Sequence, residues 1–207
     1  MMAAGIDRET DQRLLEATLA YVAGHSDEKF DPFRDAVANW GNEWEGVAPV
    51  HMTASDLLVD ALQYANPGTA EHGLMELYVQ ERATRYWEQS YTAADTAVGA
   101  DMLAGYGYAE IVGKRGPFLS ERIRAGVGIF AAGVDYPAHQ HLAEEIYVIL
   151  AGSGTFKLGN DAPVIRSPGD VIHITSNLVH GFTMDEEPLV IFYLWQGGDL
   201  REKSTFV

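Results

Sequence analysis

The 207-residue sequence contains no cysteine, which excludes disulfide bonds and thiolate metal ligands. It has no apolar run long enough to span a membrane. Positive charge is scarce: 14 Lys and Arg stand against 30 Asp and Glu, a formal net charge of −16. Such a surface repels phosphate backbones and anionic lipids, so we predict neither nucleic-acid binding nor membrane association. No apolar segment precedes the charged residues Asp7, Arg8 and Glu9, so no secretory signal is predicted and the expected location is the cytoplasm.

The first half of the chain has the apolar spacing of helices. This spacing predicts helices over residues 14–24, 30–44, 57–65 and 70–89, the third preceded by a capping pair, Thr53 and Asp56. Trp40 and Trp44 are interpreted as core residues and not as a ligand platform, because aromatic stripes at helical spacing are usually buried. The histidines of this half are interpreted as structural or solvent-exposed. These are His25, His51 and His72.

From about residue 106, apolar residues recur at every second position. Ile123, Ala125, Val127 and Ile129 alternate with other residues, and short β-branched runs separated by turn residues follow. Six to eight short strands without intervening helices predict an antiparallel sandwich or barrel. We therefore expect a mainly β protein with α-helices. A helical region at 1–104 would pack on a barrel at 105–207.

The sequence His139-x-His141-x3-Glu145, with His180 further along, carries side chains that bind divalent metals. Alternate residues of an extended strand share a face, so His139 and His141 can reach one ion. His180 follows a Pro168-Gly169-Asp170 turn and would complete the set once the sheet closes. The sequence predicts one metal site formed by these four residues. It does not choose among zinc, iron(II) and manganese.

The segment Gly133-x5-His139-x-His141-x3-Glu145-x6-Gly152 resembles the first motif of the cupin superfamily at every position. The second motif is partly kept: Gly169-Asp170 and His180 match, whereas Thr175, Asn177 and Met184 replace the usual proline, glycine and asparagine. These departures concern turn geometry and not metal ligation. The resemblance covers roughly residues 105–200 and implies a jelly-roll β-barrel with the metal near its mouth.

A narrower resemblance rests on the run from Tyr136 to Tyr147, which is similar to the cupin-type dimethylsulfoniopropionate (DMSP) lyases. It implies a metal-dependent β-elimination that yields dimethyl sulfide and acrylate from a small zwitterionic carboxylate. Tyr147 lies on the strand face of Glu145 and is the predicted base, because a nearby cation favours its phenolate. Tyr136 is the reserve base, or a hydrogen-bond donor to the substrate carboxylate.

The sulfonium group of DMSP needs electron-rich surroundings, which aromatic faces supply. Tyr193 and Trp195 alternate on the last long strand, and Phe182 follows His180 closely, so these three are the predicted sulfonium-binding residues. His173 is interpreted as an outward-facing or hydrogen-bonded residue of the barrel wall.

Two other functions share the same ligands. A cupin dioxygenase could activate oxygen on such a metal, and a non-catalytic cupin could bind a small ligand. Tyr147 favours the lyase, because elimination needs a base beside the metal and oxygen insertion usually does not. The sequence leaves open whether the protein is a monomer or a homodimer.

Overall fold

The computed structural model of the protein describes residues 6–41 and 43–207. Its α-helices are α1 (Arg8–Gly24), α2 (Arg34–Ala38), α3 (Thr53–Ala61), α4 (Ala70–Glu81) and α5 (Ala100–Gly105). Short 3-10 helices lie at Glu28–Phe33, Leu62–Tyr64 and Arg82–Thr84. Across these described residues, no helix is long and apolar enough to cross a membrane.

The strands belong to two sheets. They are β1 (Trp87–Glu88), β2 (Tyr106–Gly113), β3 (Phe118–Leu119), β4 (Ile123–Phe130), β5 (Asp135–Gln140), β6 (Glu144–Gly152), β7 (Gly154–Leu158), β8 (Val164–Arg166), β9 (Val171–Ile174), β10 (His180–Thr183), β11 (Leu189–Gln196) and β12 (Thr205–Phe206). The larger sheet has the order β1-β2-β4-β11-β6-β9, with β3 beside β2, and the smaller has the order β12-β5-β10-β7-β8. Every pairing is antiparallel except β2 with β3. This double-sheet barrel with preceding helices confirms the predicted fold class.

The two faces of the larger sheet are buried in different cores. On its outer face, Ile123, Val127 and the even-numbered residues of β11 pack with helical residues such as Leu14 and Met75. On its inner face, aromatic side chains meet those of the smaller sheet, as where Phe130 lies 4.9 Å from Phe182 between ring centroids. Because side chains alternate along a strand, one sheet serves both cores. The inner core contains the candidate site.

The predicted helix over 30–44 is wrong beyond Ala38, where α2 ends. Gly41 has a φ of +78°, and a Cβ there would lie 2.6 Å from the Leu119 carbonyl oxygen, so the chain turns toward β3 at this point. Trp40 is buried as expected, and the indole nitrogen of Trp44 donates to Asp11 at 2.8 Å.

The helix predicted over 70–89 also ends earlier, at Glu81. Trp87 and Glu88 instead form strand β1 on the edge of the larger sheet, where pairing and burial of Trp87 outweigh helical propensity. The capping pair is wrong too, because Met52 is the N-cap of α3 and makes no side-chain capping bond. The described residues form twelve strands, more than the six to eight predicted. β1, β3 and β12 have two residues each and β8 has three, too few for a visible period.

The two glycines that frame the first motif give a matched stability test. Gly133 and Gly152 have nearly the same left-handed φ, +73° and +72°. A Cβ on Gly152 would overlap the Pro188 carbonyl oxygen, whereas a Cβ on Gly133 meets nothing within 4 Å. Left-handed strain alone costs about 1–3 kcal/mol.

We therefore expect Gly152→Ala to lower the free energy of unfolding clearly more than Gly133→Ala does, as measured by urea denaturation. Equal losses would show that the backbone near Pro188 relaxes at little cost.

Candidate metal centre and adjoining cavity

Three histidines at one end of the β5–β10 pairing converge inside the barrel. His139 lies on β5, His141 follows that strand, and His180 begins β10 opposite His139. The His180 ring centroid lies 4.1 Å from that of His139 and 4.9 Å from that of His141. One nitrogen from each lies within 4.8 Å of the others, and all three side chains are buried.

Each imidazole is oriented by a backbone carbonyl two residues away. The Nδ1 atoms of His139, His141 and His180 hydrogen-bond to the oxygens of residues 137, 143 and 178 at 2.8, 2.9 and 2.8 Å. A carbonyl accepts only, so Nδ1 carries the proton and Nε2 presents its lone pair. The Nε2 atoms of His139 and His180 are buried and have no hydrogen-bond partner among the described residues. Such atoms fit a metal, because a buried nitrogen without a partner is otherwise unfavourable.

Glu145 brings a carboxylate to the same point. Its Oε2 lies 3.1 Å from His141 Nε2 and 3.7 Å from His180 Nε2. Its Oε1 accepts a hydrogen bond from the indole Nε1 of Trp195. A buried carboxylate beside three imidazoles gives a donor set that suits zinc, iron(II) or manganese.

The protonation of the histidines agrees with this role. Burial lowers the pKa of His139 to about 4, with a smaller effect from His141. Burial, together with His139, lowers the pKa of His180 to about 3. Burial also acts to lower the pKa of His141, but the hydrogen bond and charge of Glu145 raise it above its ordinary value. His139 and His180 are therefore neutral near pH 7, in the form that binds metals.

A cavity adjoins Glu145 on the inner face of the larger sheet. Its lining is strongly aromatic and includes Tyr91, Tyr106, Tyr108, Phe130, Tyr136, Tyr147, Tyr193 and Trp195. The C-terminal residues Glu202, Lys203 and Ser204 close one side, and β12 pairs with β5 beside His139. The cavity can therefore hold a small molecule against the carboxylate of Glu145.

The two predicted catalytic tyrosines both line this cavity. Tyr136 stacks on His139 with ring centroids 4.2 Å apart, and its hydroxyl lies 2.8 Å from that of Tyr91. The ring of Tyr147 lies 6.4 Å from that of His180. Burial, followed by the charge of Glu145, raises the pKa of Tyr147 well above its usual value. Burial is also the largest cause that raises the pKa of Tyr136, and the neighbouring tyrosines raise it further. The protein groups alone therefore favour both phenols over their phenolates.

The other predicted residues divide into two groups. Tyr193 and Trp195 line the cavity, whereas Phe182 lies behind it, stacked on Phe156 at 4.5 Å. His173 lies in the wall, with its Nε2 2.8 Å from a carboxylate oxygen of Glu144. Outside the site, His51 and His72 pair with Asp56 and Glu76, and His25 stacks on Phe30.

The sequence reasoning missed the polar residues of the cavity, above all Arg124. The alternation over β4 places Arg124 on the face opposite Ile123, and in this sheet that face is the barrel interior. A charged residue in a period-two strand usually indicates the face toward solvent. The alternation in β4 was therefore visible, but the charge of Arg124 favoured the wrong face. Asn177, which replaces the motif glycine, has a φ of +59°. Asparagine tolerates this left-handed turn.

Sequence comparison identifies the family. The profile of the dimethylsulfoniopropionate lyase family matches residues 49–191. The dimethylsulfoniopropionate lyase DddQ of Ruegeria pomeroyi is 30% identical over 156 residues, which cover 74% of this chain and 77% of DddQ. A putative dimethylsulfoniopropionate lyase, DddL of Cereibacter sphaeroides, is 36% identical over 117 residues, which cover 56% of this chain and 47% of DddL.

Solved structures agree with the sequence match. The crystal structure of DddQ from Ruegeria pomeroyi has a TM-score of 0.80 at 27% identity and covers 97% of this chain and 98% of that chain. A chain from the crystal structures of the DMSP lyases RdDddP and RnDddQII has a TM-score of 0.83 at 28% identity, with the same coverage. The chain therefore belongs to the dimethylsulfoniopropionate lyase family of carbon–sulfur lyases.

Proposed function

We propose that this protein cleaves DMSP to dimethyl sulfide and acrylate by β-elimination, using one divalent metal held by His139, His141, Glu145 and His180. The observation that carries the proposal is the pair of buried, unpartnered Nε2 atoms beside a carboxylate and an aromatic cavity. A divalent cation bound there would act as a Lewis acid toward the substrate carboxylate and the negative charge that develops on it. Family membership supports the same reaction.

The reaction requires a base and a leaving group. A base removes a proton from the carbon next to the carboxylate. As that electron pair forms the new carbon–carbon double bond, the carbon–sulfur bond breaks, and sulfur leaves with the bonding pair as neutral dimethyl sulfide. No acid is needed for the leaving group, so besides the metal site the protein has to supply a base and a surface that holds the cationic sulfur.

We assign the base to Tyr147. Its side chain lines the cavity, on the strand face that also carries Glu145. Because burial and Glu145 raise its pKa, Tyr147 needs a nearby positive charge to act near neutral pH. Tyr136 is the second candidate. Its hydroxyl is already paired with that of Tyr91, which favours a role in hydrogen bonding to the substrate carboxylate.

The sulfonium group would bind the aromatic side chains that line the cavity. Tyr193 and Trp195 line the cavity, and each cation–π contact is worth about 0.5–2 kcal/mol. Because the Trp195 ring already contacts Arg124 and His141, Tyr193 would be the main contact of the two. Phe182 lies behind this surface and packs edge-on against Tyr136, 5.2 Å away, and Tyr147, 6.0 Å away. Its contribution would therefore be to support these two rings.

Incubation of the metal-loaded protein with DMSP is expected to release dimethyl sulfide and acrylate in equal amounts, because both arise from one bond cleavage. Headspace gas chromatography measures the first product, and liquid chromatography measures the second. Absence of both products above a heat-inactivated control, with bound metal verified, would rule out the lyase. Oxygen consumption by the same preparation would instead support a dioxygenase.

A further inference from the structure

Three side chains of the inner face form one row across the larger sheet. Trp195 on β11 lies opposite Arg124 on β4 and opposite Glu145 on β6. Residues directly opposite one another on antiparallel strands point to the same side and contact each other. The row therefore connects a cationic side chain, an indole and a carboxylate of the candidate metal site.

Arg124 is held firmly within the barrel although it is charged. It is 9% exposed, its Nε donates to Glu110 Oε1 at 2.5 Å, and its Nη1 donates to the Leu200 carbonyl at 2.9 Å. The other oxygen of Glu110 accepts the backbone N–H of Arg115 at 2.9 Å. A buried ion pair is often no more stabilising than apolar residues of the same volume. Stability alone therefore does not account for this pair.

The guanidinium of Arg124 contacts the side chain that hydrogen-bonds to Glu145. Its central carbon lies 5.1 Å from the centroid of the Trp195 ring, within the range of cation–π attraction. The same indole lies 4.3 Å from the His141 ring and donates its N–H to Glu145 Oε1. Trp195 lines the cavity, so without Arg124 its ring has open space beside it.

We propose that Arg124, fixed by Glu110, is a positioning residue of the metal site. Its guanidinium holds the indole of Trp195 in the orientation that donates to Glu145 Oε1, so Oε2 of Glu145 faces the histidines before any metal binds. This inference rests on the metal site proposed above, but it does not depend on the reaction. Failure of the protein to cleave DMSP would leave it intact.

The test is the affinity of the metal-free protein for Zn²⁺, measured by competition with a chromophoric chelator. The double variant Arg124→Met/Glu110→Gln leaves no unpaired charge in the barrel, and it is expected to bind Zn²⁺ about 10–100-fold more weakly, as for loss of other groups that orient metal ligands. The matched control is Arg122→Gln, because Arg122 is exposed and pairs with Asp35 on the surface. Its affinity should equal that of the unmodified protein.

A double-mutant cycle distinguishes positioning from a general loss of structure. Trp195→Phe removes the donor to Glu145, so adding the Arg124/Glu110 changes to it should weaken Zn²⁺ binding no further. If the combined variant loses Zn²⁺ affinity by the product of the two separate factors, the proposal is overturned. Unchanged affinity in a folded Arg124/Glu110 variant would also overturn it. If the Arg124/Glu110 variant does not fold, the Zn²⁺ affinity of Arg124→Lys provides the test. Lysine keeps the charge but not the planar contact with the indole, and wild-type affinity in this variant would overturn the proposal.

Discussion

Replacement of Tyr147 with phenylalanine is expected to lower the kcat for dimethyl sulfide release by about 10²–10⁴-fold, the usual contribution of a general base. The change removes only the hydroxyl. The ring contacts with Phe156 and Phe182 remain, so the fold and the bound metal should be preserved. Headspace chromatography gives the rate, and elemental analysis gives the metal content of the same sample.

The matched control is Tyr78→Phe. Tyr78 is also fully buried, but it lies on α4 in the helical core. This variant should turn over normally. Near-normal turnover of Tyr147→Phe would contradict the assignment, and a larger loss in Tyr136→Phe would transfer the role to Tyr136.

Removal of the metal is expected to abolish dimethyl sulfide release, because the substrate carboxylate would lose its Lewis acid and Tyr147 would return to a raised pKa. Dialysis against a chelator should reduce the rate to background, and added Zn²⁺, Fe²⁺ or Mn²⁺ should restore it. His180→Ala should stay inactive after the same addition, since a ligand is lost. His51→Ala is the control, because His51 is exposed and pairs with Asp56 away from the site.

Metal binding can also be followed without turnover. A ligand that binds only the folded protein at 100 times its dissociation constant stabilises it by about 2.7 kcal/mol. The unmodified protein should therefore show a higher melting temperature with metal than after chelation, and His180→Ala should show a smaller shift. Full turnover by protein verified to be metal-free would refute the metal-dependent reaction.

The closeness of the proposed ligands could be predicted from the sequence because most of their geometry is local. His139 and His141 alternate within one segment, and Glu145 and Tyr147 share the face of the next strand. Only His180 required the fold, and the pairing of β5 with β10 places it opposite His139. The period-two run from Ile123 to Ile129 was similarly visible, and β4 lies there.

The missed features depend on contacts between distant segments. Trp87 forms a strand because β2 offers it a partner, and no pattern within residues 70–89 contains that information. Arg124 faces the interior because Glu110 neutralises it there and because helices cover the opposite face of the sheet. In both cases the tertiary environment outweighs a local preference.

The larger sheet, buried on both faces, places different demands on neighbouring positions of β6. Glu145, Tyr147 and Ile149 face the site, whereas Ile146 and Val148 pack toward the helices. One residue inserted before Glu145 would exchange these environments, turning Glu145 and Tyr147 into the helical core and Ile146 into the cavity. Homologous enzymes can therefore be expected to differ in the side chains of this strand while its length stays constant. Insertions and deletions should be confined to the turns on either side of it.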